Sequence, residues 1–116
     1  MTKFYNLSNH PSGKWGGEQL RAASVYGEVT DLPFPNVPED MDEAGIAFLA
    51  DTVAGEVDDG SVVHVMGEMT LTYAVIQRLK WRGIKCVAST TKREVTELPD
   101  GTKQIKFNFC KFREYA

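Results

Sequence analysis

No apolar run long enough to cross a bilayer occurs in the 116 residues, which excludes a membrane-spanning helix. No basic leader followed by an apolar stretch opens the chain, so no signal peptide is expected. Cysteine is scarce. Cys86 and Cys110 are the only two, and neither sits in a CxxC or Cys/His spacing. That argues against a zinc site or a disulfide staple and for buried thiols in a reducing cytoplasm. GxGxxG and the Walker P-loop are both missing, so a dinucleotide cofactor or an NTPase mechanism has no motif support. No carboxylate cluster suggests a metal, and the chemistry is expected to need neither metal nor cofactor. Repeats, low-complexity tracts and linkers are absent as well. One domain spanning residues 1–116 is expected.

Charge is present but divided. Residues 1–60 carry 3 Lys/Arg against 11 Asp/Glu, a net −8, while residues 61–116 carry 10 against 5, a net +5. A protein that tracks a long duplex wants a basic whole, which this is not. An asymmetric chain can still hold a local positive pocket for a small anion.

The pattern alternates strands and helices. "KFYNL" (3–7) is a short apolar run that breaks at the turn formers "SNHPSGKWGG". "GEQLRAASVYG" (17–27) supplies helix formers and stops at Gly27. "EVTDLPF" (28–34) reads as a second strand. After the acidic "EDMDEAG", Ile46, Leu49, Ala50 and Val53 repeat on one helical face. "SVVHVM" (61–66) is continuous and β-branched, as in a strand buried on both faces. "LTYAVIQRLKWRG" (71–83) places Leu71, Ala74, Val75 and Leu79 on one stripe, and "IKCVA" (84–88) is a fourth strand. "REVTEL" and "TKQIKFNFCKFREY" flank Pro99–Gly101 as a C-terminal hairpin, with Ile105, Phe107 and Phe109 sharing a face. The expected fold is a single α/β, Rossmann-like domain with a mostly parallel sheet flanked by helices and a C-terminal β-hairpin.

Such sheets bind ligands beyond the carboxyl ends of their strands, where the strand order reverses. With order 2-1-3-4, three loops meet there: "SNHPSGKWGG", "GEMTLT" and "STTKR". Ser8, Asn9 and His10 end the first strand. Pro11 disfavours helical geometry at His10, presenting an imidazole able to act as acid, base or phosphate donor. Ser8 and Asn9 could equally serve as turn caps. Lys14 and Trp15 precede Gly16 and Gly17, which allow close approach, and Trp15 can stack on a base or cover an interface. Gly67, Glu68, Met69, Thr70 and Thr72 open the third helix, an anion site or a capping arrangement. Ser89, Thr90, Thr91, Lys92 and Arg93 offer hydroxyls and a charge-assisted clamp for phosphate, or else the start of a protected edge strand. His64, mid-strand between Val63 and Val65, reads as a core histidine bonded to a neighbour.

The "NLSNHP" loop, "VHVMGEMTLTYAVIQRL" and "CVASTTKR" together resemble small standalone proteins associated with CRISPR loci. These are minimal versions of the CARF domain, the Rossmann-like sensor of cyclic oligoadenylates. The resemblance runs over nearly the whole chain. It implies that Ser8 and Asn9 contact a cyclic nucleotide, since CARF domains use a Ser/Thr-bearing loop after the first strand. Gly67 and Thr70 match a glycine-bearing loop before a later helix, where Glu68 departs from the basic character of the family. Lys92 and Arg93 would compensate.

Some standalone members are ring nucleases, which cut cyclic tetra-adenylate without metal and end type III CRISPR signalling, and others only bind it. The reaction implied is attack of a ribose 2′-hydroxyl on its own 3′-phosphate, leaving a 2′,3′-cyclic phosphate. On this reading His10 assists proton transfer, and Arg93 and Lys92 neutralise developing charge. Ser89, Thr90 and Thr91 position the phosphate. A two-fold symmetric ligand implies a homodimer. A non-catalytic sensor or sponge, and a structural protein of the same fold, are the other classes that the residues admit.

Overall fold

The computed structural model describes residues 2–116 as an α/β fold. The strands are β1 (Lys3–Ser8), β2 (Glu28–Pro33), β3 (Val62–Met66), β4 (Lys85–Glu97) and β5 (Lys103–Glu114). The helices are α1 (Gly17–Ser24), α2 (Glu43–Gly55) and α3 (Met69–Trp81), with a short 3-10 turn at Ser12–Lys14. One five-stranded sheet runs in the order β2-β1-β3-β4-β5. Its first four strands are parallel, and β5 pairs antiparallel with β4. The order reverses between β1 and β3, where the sequence pattern placed the ligand crevice.

Strand alternation divides the core between the two faces of the sheet. Tyr5, Leu7, Val63, Val65 and Cys86 pack with Ala50 and Val53 of α2 and with Leu71, Val75 and Leu79 of α3. Phe4, Val62 and Val87 pack on the other side with Ala23 of α1 and Phe112 of β5. The expected helical stripes are the observed ones. Asp42 caps α2 by accepting a hydrogen bond from the Gly45 amide at 2.9 Å, satisfying one of the orphan donors of its first turn.

The fourth strand departs from expectation. "STTKR" is not a loop after a strand ending at 88, because β4 continues unbroken to Glu97 and pairs along its length with β5. The change from apolar to polar residues after Ala88 predicts a strand end there. In the structure that change marks the strand leaving the core while its backbone pairing continues. A bulge between Thr90 and Thr91 accompanies the exit. There Thr90 Oγ1 accepts from the Lys111 amide at 3.2 Å and donates to the Lys111 carbonyl at 3.0 Å, taking up groups that the shifted ladder leaves open. Beyond it the ribbon is exposed on both faces apart from Phe109, which is half-buried against Phe112, and Phe107 is 65 % exposed.

Cys110, expected to be buried, is exposed, and Cys86 is buried. Burial pushes the Cys86 thiol up to about 11, so it stays protonated and inert. Among the described residues no helix is long and apolar enough to cross a membrane.

Candidate functional site

A cleft of about 1150 Å³ opens on the α1 side of the sheet. It exceeds the roughly 300–1,000 Å³ usual for small-ligand pockets. His10, Lys14 and Trp15 enter from the loop after β1, while His64 and Ser89 line it from β3 and β4. Thr91, Glu94 and Phe107 wall it from the ribbon, and Gly16 and Gly17 stand at the start of α1. No side chain caps α1, so its first amides are free for a ligand. Glu18 and Glu94 also line the cleft, which offsets the charge of Lys14.

The aromatic members are fixed by the core. Trp15 meets Phe4, His64 and Phe112 with ring centroids 6.3, 5.6 and 6.0 Å apart. It is therefore a wall held from behind, half-buried, rather than a free stacking platform.

Beneath the cleft a polar row crosses the sheet. His64 is only 2 % exposed, with Nδ1 2.9 Å from Asn6 Oδ1 and Nε2 3.2 Å from Ser89 Oγ. Asn6 Nδ2 donates to Asp31 Oδ1 at 2.9 Å and to the His10 carbonyl at 2.8 Å. Burial, and secondly the nearby His10, push the His64 imidazole down to about 4, so it is neutral at physiological pH. Burial also raises the Asp31 carboxyl. Hydrogen bonds from Asn6 and from the Ser12 hydroxyl and amide outweigh it and hold Asp31 below the usual carboxylate range.

Ser8 belongs to this scaffold. Its hydroxyl donates to Asn6 Oδ1 at 2.8 Å and accepts from the His10 amide at 3.1 Å, fixing the turn that presents His10. Asn9 and His10 do reach the cleft. Thr90 is engaged with Lys111 across the ribbon, and Lys92 and Arg93, exposed on the ribbon, are not among the cleft's lining residues.

The third expected loop lies apart from this cleft. Glu68 is the N-cap of α3 and accepts from the Leu71 amide at 2.8 Å and from Thr70 Oγ1 at 2.6 Å. These bonds, Thr70's first, hold its carboxyl below its ordinary value. Gly67 lets the Phe34 ring lie against its backbone, and a Cβ there would force that ring to shift. With Met66, Met69 and Tyr73 it borders a separate cavity of about 520 Å³. The capping arrangement is the one found for Glu68 and Thr70.

Sequence reasoning missed Asn6 and Asp31 and read His64 as core alone. His64 is buried and bonded as expected, yet it also forms part of the cleft wall. The available signal was positional: a buried-type strand carrying Asn in β1 and another carrying His in β3, in a parallel sheet that normally fills such places with Val or Ile. Among the described residues no group of three His, Cys, Asp or Glu side chains is placed to hold a metal.

No curated protein matches the chain. The family model described as the uncharacterized protein MJ1673 family matches residues 2–113, which is nearly all of the fold and every residue of the cleft, and the chain belongs to that family.

Proposed function

We propose that the cleft binds a cyclic oligoadenylate, cyclic tetra-adenylate first among them. The protein then cleaves it without a metal as a ring nuclease that ends a type III CRISPR signal. The sheet order and crossovers are read as Rossmann-like, in the CARF manner, with the ribbon as the C-terminal hairpin. One observation carries the reading: an imidazole (His10), an ammonium (Lys14), an indole (Trp15) and the uncapped start of α1 converge on one large cleft at the switch point of the sheet. That set suits a nucleotide phosphate, with the half-buried indole as a fixed apolar wall beside the base. Attack by a ribose 2′-hydroxyl needs no protein nucleophile. It needs orientation, a proton acceptor and charge stabilisation.

A second reading, a sensor or sponge that binds without cutting, has its own support. Lys92 and Arg93 are not cleft-lining residues, and Glu18 and Glu94 are, so charge stabilisation at phosphorus is thin. Incubation with cyclic tetra-adenylate in EDTA, resolved by chromatography, decides between them. Linear products ending in 2′,3′-cyclic phosphate support cleavage. Intact ligand with a raised Tm supports binding alone, and neither effect removes the ligand assignment.

The same reading makes the protein a homodimer in the cytoplasm, because a four-nucleotide ring is large for a domain this size. The second copy has a surface to use. Val95, Ile105 and Phe107 are exposed on the ribbon. Light scattering that returns a monomer with and without ligand overturns the dimer.

A further inference from the structure

Four side chains from four neighbouring strands stand in one row on the α1 side of the sheet. Asp31, Asn6 and His64 are register partners on β2, β1 and β3. Ser89 lies two residues beyond Val87, the β4 partner of His64.

The protons of this row follow from its fixed end. An ionised carboxylate and a backbone carbonyl only accept hydrogen bonds. The end of Asn6 that faces Asp31 and the His10 carbonyl must therefore be its amide nitrogen. Its oxygen then faces His64 Nδ1 at 2.9 Å, so Nδ1 carries the proton. In the neutral ring Nε2 is left as a bare lone pair, 3.2 Å from Ser89 Oγ, and Ser89 donates to it. Met66 Sδ, 3.1 Å from the same hydroxyl, is a weaker acceptor than an imidazole nitrogen. With its hydrogen committed inward, Ser89 turns its lone pairs toward the cleft. That reverses the part expected of it, since a phosphate oxygen wants a donor.

We propose that Ser89 is a catalytic acceptor for a substrate hydroxyl, that His64 takes the proton behind it, and that Asn6 and Asp31 are positioning residues that hold His64 in the tautomer the transfer needs. The choice of hydroxyl, the ribose 2′-OH, rests on the cyclic oligoadenylate reading. In that reaction the 2′ oxygen bonds to phosphorus and the bond from phosphorus to the 5′ oxygen breaks. The 2′ proton moves to Ser89 Oγ as the Ser89 proton moves to His64 Nε2, and the departing 5′ oxygen takes a proton from water. His64 afterwards returns its proton to solvent through Ser89. Burial disfavours the charged ring, so the transfer to His64 is uphill and the imidazolium is short-lived.

Two tests need no nucleotide. Spectra of the full chain carrying ¹⁵N-histidine should show His64 protonated at Nδ1 and bare at Nε2 at neutral pH, and a proton on Nε2 overturns the proposal. A hydroxyl held by a base is also nucleophilic, so a fluorophosphonate probe should mark Ser89. Its Oγ bonds to phosphorus, fluoride leaves, and the proton passes through His64 to water. Peptide mapping should place the label on Ser89, with none in Ser89→Ala and labelling about 10²-fold slower in His64→Gln. Should His64→Gln fail to fold, the wild-type labelling rate serves instead, falling as pH drops toward about 4 over the pH values at which circular dichroism still shows the folded chain. No label on Ser89, or a rate indifferent to His64 and to pH, overturns the relay.

With cyclic tetra-adenylate, Ser89→Ala should cut about 10²–10⁴-fold more slowly with a much smaller change in affinity, and Ser89→Thr should restore most of the rate. Cleavage by Ser89→Ala at the wild-type rate overturns the proposal. A wild type that neither binds nor cleaves this ligand defeats the ligand assignment, and the spectra and the label still decide the relay.

Discussion

Tyr115 Oη donates a 2.7 Å hydrogen bond to the carbonyl of Val65. The β3–β4 register ends at His64, so this phenol from just past β5 supplies the next bond to the central strand. The Tyr115 amide donates in turn to the Cys86 carbonyl at 2.9 Å. Three strands are thereby tied at the end of the sheet that carries the cleft.

Replacing that phenol by Phe leaves the ring in place and removes one half-buried bond. Tyr115→Phe should lose about 0.5–1.5 kcal/mol, seen as a lower urea midpoint at unchanged slope. An unchanged midpoint means that water serves the Val65 carbonyl equally well.

Gly27 has a φ of +155°, and a Cβ there would meet the Thr2 carbonyl, which accepts from the Glu28 amide at 3.2 Å. Both the backbone angle and the neighbour exclude a side chain. Gly27→Ala should cost roughly 1–3 kcal/mol, measured as a fall in calorimetric Tm. A stability equal to wild type would show that β2 can start elsewhere.

Arg82 closes the end of α2 from outside. Its guanidinium donates to the carbonyls of Ala54 at 2.6 Å and Val57 at 2.7 Å and to Asp59 at 2.8 Å. A planar fork can reach all three and an ammonium cannot. Arg82→Lys should therefore behave almost like Arg82→Ala, each losing about 1.5–3 kcal/mol in denaturant titration. Full retention by lysine would reduce the contact to simple charge.

The polar row makes stability depend on pH. His64 is held near 4 in the folded chain against 6.5 when free, so between those values the unfolded chain binds more protons. Stability is complete above about 6.5 and falls as pH drops toward 4, by on the order of 3 kcal/mol. Asp31, whose carboxyl is held low, continues the loss as pH falls further. Urea titrations from pH 7 to 4 should show this slope for wild type and a flatter one for His64→Gln. Equal slopes would place the proton uptake elsewhere.

The strand and helix order could be read from periodicity because each element carries its burial in its own residues. Ala50 with Val53 and Leu71 with Val75 and Leu79 needed no tertiary information. The reach of β4 past Ala88 could not be read in this way, since a ribbon exposed on both faces is held by backbone pairing to a strand that comes later. Glu68 misled for a related reason. A carboxylate before a helix can repel a ligand or cap the helix, and only the Leu71 amide at 2.8 Å selects between them. Asn6, His64 and Ser89 are far apart in sequence and meet only through sheet register.

The bulge between Thr90 and Thr91 sits where one cooperative unit of structure gives way to another. On its sheet side, an amide of β4 exchanges with solvent only when packed neighbours on both faces give way. On its far side, an amide answers only to its pairing with β5, and a two-stranded ribbon in water is marginally stable by itself. The wall of the cleft formed by Thr91, Glu94 and Phe107 therefore belongs to the easily opened unit, while the floor of His64 and Ser89 belongs to the resistant one. The cleft can therefore widen by opening the one without disturbing the other.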